Sequence, residues 1–123
     1  MYDALAKGSS RPGAWGYAPA FMRILHVADR LTDRGGAYTW MLGVIEALAV
    51  VHEVRLVVGE DDGAVTPPCP LDVRPGLESR EASPVELDDL VLEFAPDVVH
   101  VHNLMNPAVL EWAAWRPNAL LTL

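Results

Sequence analysis

Four apolar runs, each too short to be a helix of its own, constrain this chain more than any other feature: Met22–Ala28, Glu53–Val58, Asp97–His102 and Ala119–Leu123. The first, rich in branched residues, ends in the polar, Gly-bearing loop Asp29–Gly36, as a buried strand ending in a turn should. Between the first and second runs lies Ala37–Val51, apolar except at Thr39, Gly43 and Glu46. Those three are spaced by four and three and fall on one helical stripe, so the segment predicts a helix buried on most of its circumference. Strand, helix, strand at this spacing means a parallel crossover, because parallel strands cannot be joined by a tight turn.

The remainder repeats the theme. Thr66–Pro75 carries four prolines around Leu71-Asp72-Val73, which allows only a brief marginal strand. Ser83-Pro84-Val85-Glu86 has capping-box spacing and predicts a helix start there. Leu87, Leu90, Val91 and Phe94 supply its apolar stripe, and Pro96 stops it. After the Asp97–His102 strand, Asn106-Pro107 opens a short helix to Trp115, and Ala119–Leu123 reads as a last buried strand. The expected fold is α/β: a Rossmann-like open parallel sheet of about five strands with flanking helices.

Composition agrees. A chain of 123 residues has room for one core, and 51% hydrophobic against 21% charged residues, with mean hydropathy +0.17, is too apolar for disorder. The net charge of −8 opposes binding to a phosphate backbone, so no nucleic-acid partner is expected. The single cysteine, Cys69, excludes an internal disulfide and fits a reducing, cytoplasmic setting. No apolar stretch approaches the ~20 residues of a membrane span. Residues 1–21, with Gly, Ser, Pro and isolated aromatics, read as a flexible leader, and the domain as residues 22–123.

Gly35-Gly36, between a strand and a helix, permits close backbone approach beside open helix amides and is a candidate phosphate cradle; a plain tight turn explains the same residues. No dinucleotide fingerprint, P-loop or nucleophile elbow is present, so dehydrogenase, P-loop ATPase and Ser-hydrolase readings fall away. His100 and His102 share one face of their strand. His26 on a neighbouring strand would complete three imidazoles. No carboxylate or cysteine stands at supporting spacing, so hydrogen-bonded core or pocket histidines are expected rather than metal ligands. His52 reads as structural. The acidic Glu60-Asp61-Asp62 is a solvated turn, and Trp40 is expected in the core, with Trp112 and Trp115 as core or interface anchors. A receiver-like signalling domain would need Asp29 and Asp97 to cluster, but Asp97 opens its strand at the wrong end.

Met22-Arg23-Ile24-Leu25-His26-Val27, Gly35-Gly36-Ala37, His52-Glu53-Val54 and Pro96-Asp97-Val98-Val99-His100-Val101-His102-Asn103, in this order, resemble the N-terminal domain of family 4 glycosyltransferases of the GT-B fold. The resemblance implies a retaining, metal-independent enzyme without a cofactor, which moves a sugar from a nucleotide-sugar donor to a glycan, lipid or small-molecule acceptor. It implies Gly35 and Gly36 against the donor diphosphate and His102 and Asn103 on the acceptor side. It assigns no catalytic residue within this stretch. It also implies a C-terminal donor domain beyond Leu123, so that residues 22–123 are an incomplete domain, inactive alone; peripheral membrane contact of the whole enzyme is compatible with it. Tyr38 departs from the family, where an acidic residue is frequent, as does Val51, where glycine is usual. The alternative is a free-standing Rossmann-like module that binds a nucleotide or a protein without catalysis.

Overall fold

The computed structural model describes residues 21–122, so the leader expected over 1–21 lies outside the described residues except for Phe21. The elements follow the order β1 (Arg23–Leu31), α1 (Gly36–Ala49), β2 (Glu53–Asp61), β3 (Leu71–Val73), α2 (Asp88–Phe94), β4 (Val98–His102), α3 (Pro107–Ala114) and β5 (Ala119–Thr122). All strand pairs are parallel, in the order β3-β2-β1-β4-β5. This is an open, Rossmann-like α/β sheet flanked by helices, as the alternating pattern predicts.

Side-chain alternation divides the core in two. Leu25, Val27, Val57, Val99 and Val101 face α2 and α3, where Leu90, Phe94, Val109 and Ala113 close the layer. Ala28, Val54, Leu56 and Val58 face α1 through Met41 and Ile45. Roughly 25 cal/mol per Å² of buried apolar surface makes these two layers the main driving force.

The strands β1 and β2 run further than expected. Arg30 pairs with Glu60 and Leu31 with Asp61, so two of the three residues expected in an acidic turn belong to the ladder. Helix α1 is buried only at Met41 and Ile45, not around most of its circumference, because it rests on the sheet by one side. Trp40, expected in the core, is 52% exposed. Strand β5 pairs only with β4 and leaves Leu120 and Leu121 exposed on its outer position, where burial was expected.

Helix α2 begins at Asp88, five residues after the expected cap, and no capping box forms. Its parts bond elsewhere. The Ser83 hydroxyl donates to Ser79 Oγ at 3.1 Å, and the Ser83 carbonyl accepts from Asn106 Nδ2 at 2.8 Å. Glu86 instead accepts from the Asp88 amide at 2.9 Å. Arg74 reaches over to grip the Asp89 carboxylate with both guanidinium nitrogens at 2.9 Å, which anchors the new helix start. Helix α3 starts where expected, with Asn106 accepting from the Ala108 amide at 3.0 Å and Pro107 in the first turn.

Candidate functional site

Strand order reverses between β1 and β4, and in open α/β sheets the crevice beyond the C-terminal edge at this point collects ligands. Gly35-Gly36 follows β1 there, and Asn103 follows β4. Gly35 caps α1 with φ 103°, a conformation that favours glycine, while a Cβ on Gly36 would meet nothing within 4 Å. The first turn of α1 carries no acidic residue of its own, although Tyr38 in that turn holds the Asp29 carboxylate. Asn103 has φ 52° and donates its amide to the Thr122 carbonyl at 3.0 Å, which turns the chain off the end of β4.

His102 ends β4 as expected, but its side chain is 1% exposed and turned into a cluster instead of an open cleft. The β1–β4 register sets His26 directly beside His100 and Ala28 beside His102. Period two then puts all three imidazoles on the α1 side of the sheet. Their ring centroids lie 3.8 Å apart for His100 and His102, 5.0 Å for His26 and His102, and 5.4 Å for His26 and His100. Trp40 of α1 roofs them edge-on, 5.9 Å from the His102 ring and 6.4 Å from that of His100.

His26 Nδ1 and His102 Nε2 share a hydrogen bond at 2.8 Å, and His100 Nε2 pairs with the Thr122 hydroxyl at 2.8 Å. Burial holds His26 neutral down to about 4, with the neighbouring His100 adding to the effect. Burial, then the charges of His100 and His26, depress His102 to about 3. Burial also lowers His100. One ring nitrogen of each histidine lies within 4.8 Å of the others, and among the described residues this is the set of ligating side chains able to hold a metal.

Two features had no sequence signal strong enough to find them. Tyr38 donates its hydroxyl to both Asp29 oxygens, at 2.8 and 3.0 Å, and burial with that bond pushes the phenol up to about 12. Beside them an open cavity of about 340 Å³ is lined by Arg30, Thr32, Arg34, Tyr38, Glu60 and Asp62. Asp29 and Tyr38 are nine positions apart in sequence, and only the strand-to-helix turn at Gly35 brings them together.

The remaining candidates have structural places. His52 Nδ1 accepts from the Met22 amide at 3.2 Å. Asp97 accepts from the Arg23 amide at 2.8 Å at the opposite end of the sheet from Gly35, so it does not cluster with Asp29. Cys69 is a free, half-buried thiol pushed up to about 11 by burial, which makes it a poor nucleophile. No described helix is long and apolar enough to cross a membrane. Comparison of the chain with protein-family models, with curated proteins and with solved structures found no match to any of them.

Proposed function

We propose that residues 22–123 form the N-terminal, acceptor-side half of a retaining glycosyltransferase of the GT-B type, one that moves a sugar from a nucleotide-sugar donor to a glycan, lipid or small-molecule acceptor. The observation that carries this reading is that Gly35-Gly36 follows β1 and Asn103 follows β4 where strand order reverses, on the ligand-collecting edge of the sheet. The amides that open α1 would face the donor diphosphate and stabilise charge as the glycosidic bond breaks. Asn103 would line the acceptor side, with the buried His102 holding the end of β4 behind it. Family 4 membership rests on the Gly-Gly-Ala and Pro-Asp-Val-Val-His-Val-His segments. A second domain carrying the donor would close the cleft and exclude water, and the reaction would run in a reducing, cytoplasmic setting without a metal of its own.

The test is amide chemical-shift mapping of the chain with UDP-glucose, GDP-mannose and inorganic diphosphate. The reading expects shifts at Gly35 to Tyr38 with all three probes, and at Asn103 only with the sugar-bearing ones. Gly36→Asp, which fits the space but places a carboxylate among the amides, should abolish them. Shifts elsewhere, or none at millimolar probe, overturn the proposal. Turnover of a nucleotide sugar by the chain alone overturns the requirement for a second half.

A further inference from the structure

We propose that His26, His100 and His102 form a binding site for one borderline divalent transition-metal ion, of the Zn²⁺ or Co²⁺ class, held by three imidazole nitrogens with its fourth position open beneath Trp40. This inference does not depend on the sugar-transfer reading and concerns no step of it.

Two strands in fixed register build the donor set. His100 and His102 chelate from alternate positions of β4, and His26 faces them from the paired position of β1. Imidazole is the ligand type that suits these ions, and three histidines with one open position are an established zinc arrangement. Metal–nitrogen bonds of about 2.0–2.1 Å in tetrahedral geometry place ligand nitrogens about 3.3 Å apart. The hydrogen-bonded pair at 2.8 Å must open by about half an ångström. The widest pair, within 4.8 Å, must close by about 1.5 Å at most, which small side-chain rotations supply.

Hydrogen bonding alone leaves the cluster incomplete. Among the described residues, His26 Nε2 and His102 Nδ1 are buried without a partner. Neutral imidazoles carry one N–H and one lone pair each. Whichever ring donates in the shared bond, one buried N–H lacks an acceptor and one buried lone pair lacks a donor. An ion ligated through His26 Nδ1 and His102 Nε2 replaces their shared hydrogen bond and moves both protons to the outer nitrogens, so the number of unsatisfied buried groups stays at two. With His100 Nε2 turned to the Thr122 hydroxyl, its Nδ1 is the nitrogen available to the ion, and Thr122 becomes the outer partner that ligating histidines usually have. Burial keeps the rings neutral at pH 7, so an ion meets no competing charge. Among the described residues no carboxylate belongs to the cluster, which disfavours Mg²⁺ and Ca²⁺.

The chelator-treated full chain, titrated with Co²⁺ and then Zn²⁺, decides the matter. Expected are one equivalent bound, the visible d–d bands of tetrahedral Co²⁺, their loss when Zn²⁺ displaces it, and a higher thermal midpoint. His100→Gln should weaken Zn²⁺ binding by at least about 100-fold. Should that variant fail to fold, imidazole ¹⁵N shifts of the unaltered chain give the answer: Zn²⁺ must move the signals of His26, His100 and His102 and leave His52 in place. An octahedral Co²⁺ spectrum, shifts at His52 or at Glu60–Asp62 in place of the cluster, or no binding below millimolar metal would overturn the site and leave a hydrogen-bonded histidine core.

Discussion

Replacing Asn106 should destabilise this fold more than any other single polar substitution in the described residues, and the loss can be assembled bond by bond. The residue is fully buried, and its amide bonds three backbone groups. Nδ2 donates to the carbonyls of Gly76 and Ser83, each at 2.8 Å, and Oδ1 accepts from the Ala108 amide at 3.0 Å. One side chain therefore caps α3 and ties down both ends of the segment that lays Leu77 over the core. In Asn106→Ala the lost cap costs about 1 kcal/mol. The Ser83 carbonyl, stripped of its donor, costs about 1–3 kcal/mol. The Gly76 carbonyl keeps the Ser79 amide at 3.0 Å as a second donor and loses only about 1 kcal/mol. The sum is about 3–5 kcal/mol, a large share of the stability of a small domain. Urea unfolding followed by circular dichroism measures it. Asn106→Asp separates the terms, because a carboxylate still caps α3 but presents acceptors to two carbonyls. It should therefore lose at least about 2 kcal/mol at pH 7. A loss below about 1 kcal/mol for Asn106→Asp would refute the reasoning, since capping alone would then account for the residue.

The histidine cluster sets an acid limit on the metal-free chain. His26 takes a proton near 6.5 when unfolded and near 4 when folded, so the unfolded state binds more protons in between and stability falls as pH drops through that window. For His26 alone the gap between 6.5 and about 4 is worth about 3 kcal/mol at most; denaturant midpoints that stay level from pH 7 to pH 4.5 would contradict it. Two glycines should respond with opposite sign. A Cβ on Gly59 would lie 2.5 Å from the Glu78 amide nitrogen and 2.8 Å from the Asp29 carbonyl, so Gly59→Ala should cost about 2–3 kcal/mol. Gly43→Ala, inside α1 with nothing within 4 Å, should gain about 0.5–1 kcal/mol. Thermal melts of the two variants must move in opposite directions. Tyr38→Phe and Asp29→Ala should show a coupling of about 1 kcal/mol in a double-mutant cycle, and additivity would deny their hydrogen bond a stabilising role.

The parts of the fold that were legible are those decided within a few residues. Branched runs broken by loops gave the strands, and Asn106-Pro107 gave the start of α3, because an N-cap acts on amides two residues away. Where a local signal had distant competitors, the competitors prevailed. Ser83 and Glu86 have the right spacing to cap a helix, yet Asn106 and Arg74 bind their backbone carbonyls, Ser79 takes the Ser83 hydroxyl, and the Glu86 carboxylate turns to the Asp88 amide. The apolar run of α1 read as buried because composition cannot tell a helix enclosed on all sides from one resting on a sheet. Trp40 consequently sits over the histidines as a half-exposed roof.

The site divides along the same line. Alternation alone puts His100 and His102 on one face of β4, but whether His26 meets them depends on the β1–β4 register, which no local rule supplies. The core determines that register. Leu25 and Val27 must align with Val99 and Val101 to bury one continuous layer under α2 and α3, and a slip of one residue would turn apolar side chains away from it. Once that layer is aligned, the residues between its members are aligned as well, on the opposite face: His26 with His100, and Ala28 with His102. Ala28 then does for the cluster what its small size permits. It leaves room beside His102 for the His26 ring, which reaches across at 2.8 Å. The imidazole cluster is thus the reverse side of the hydrophobic core, held together by apolar packing through the sheet. A larger residue at position 28 should separate His26 from His102 while leaving the register intact.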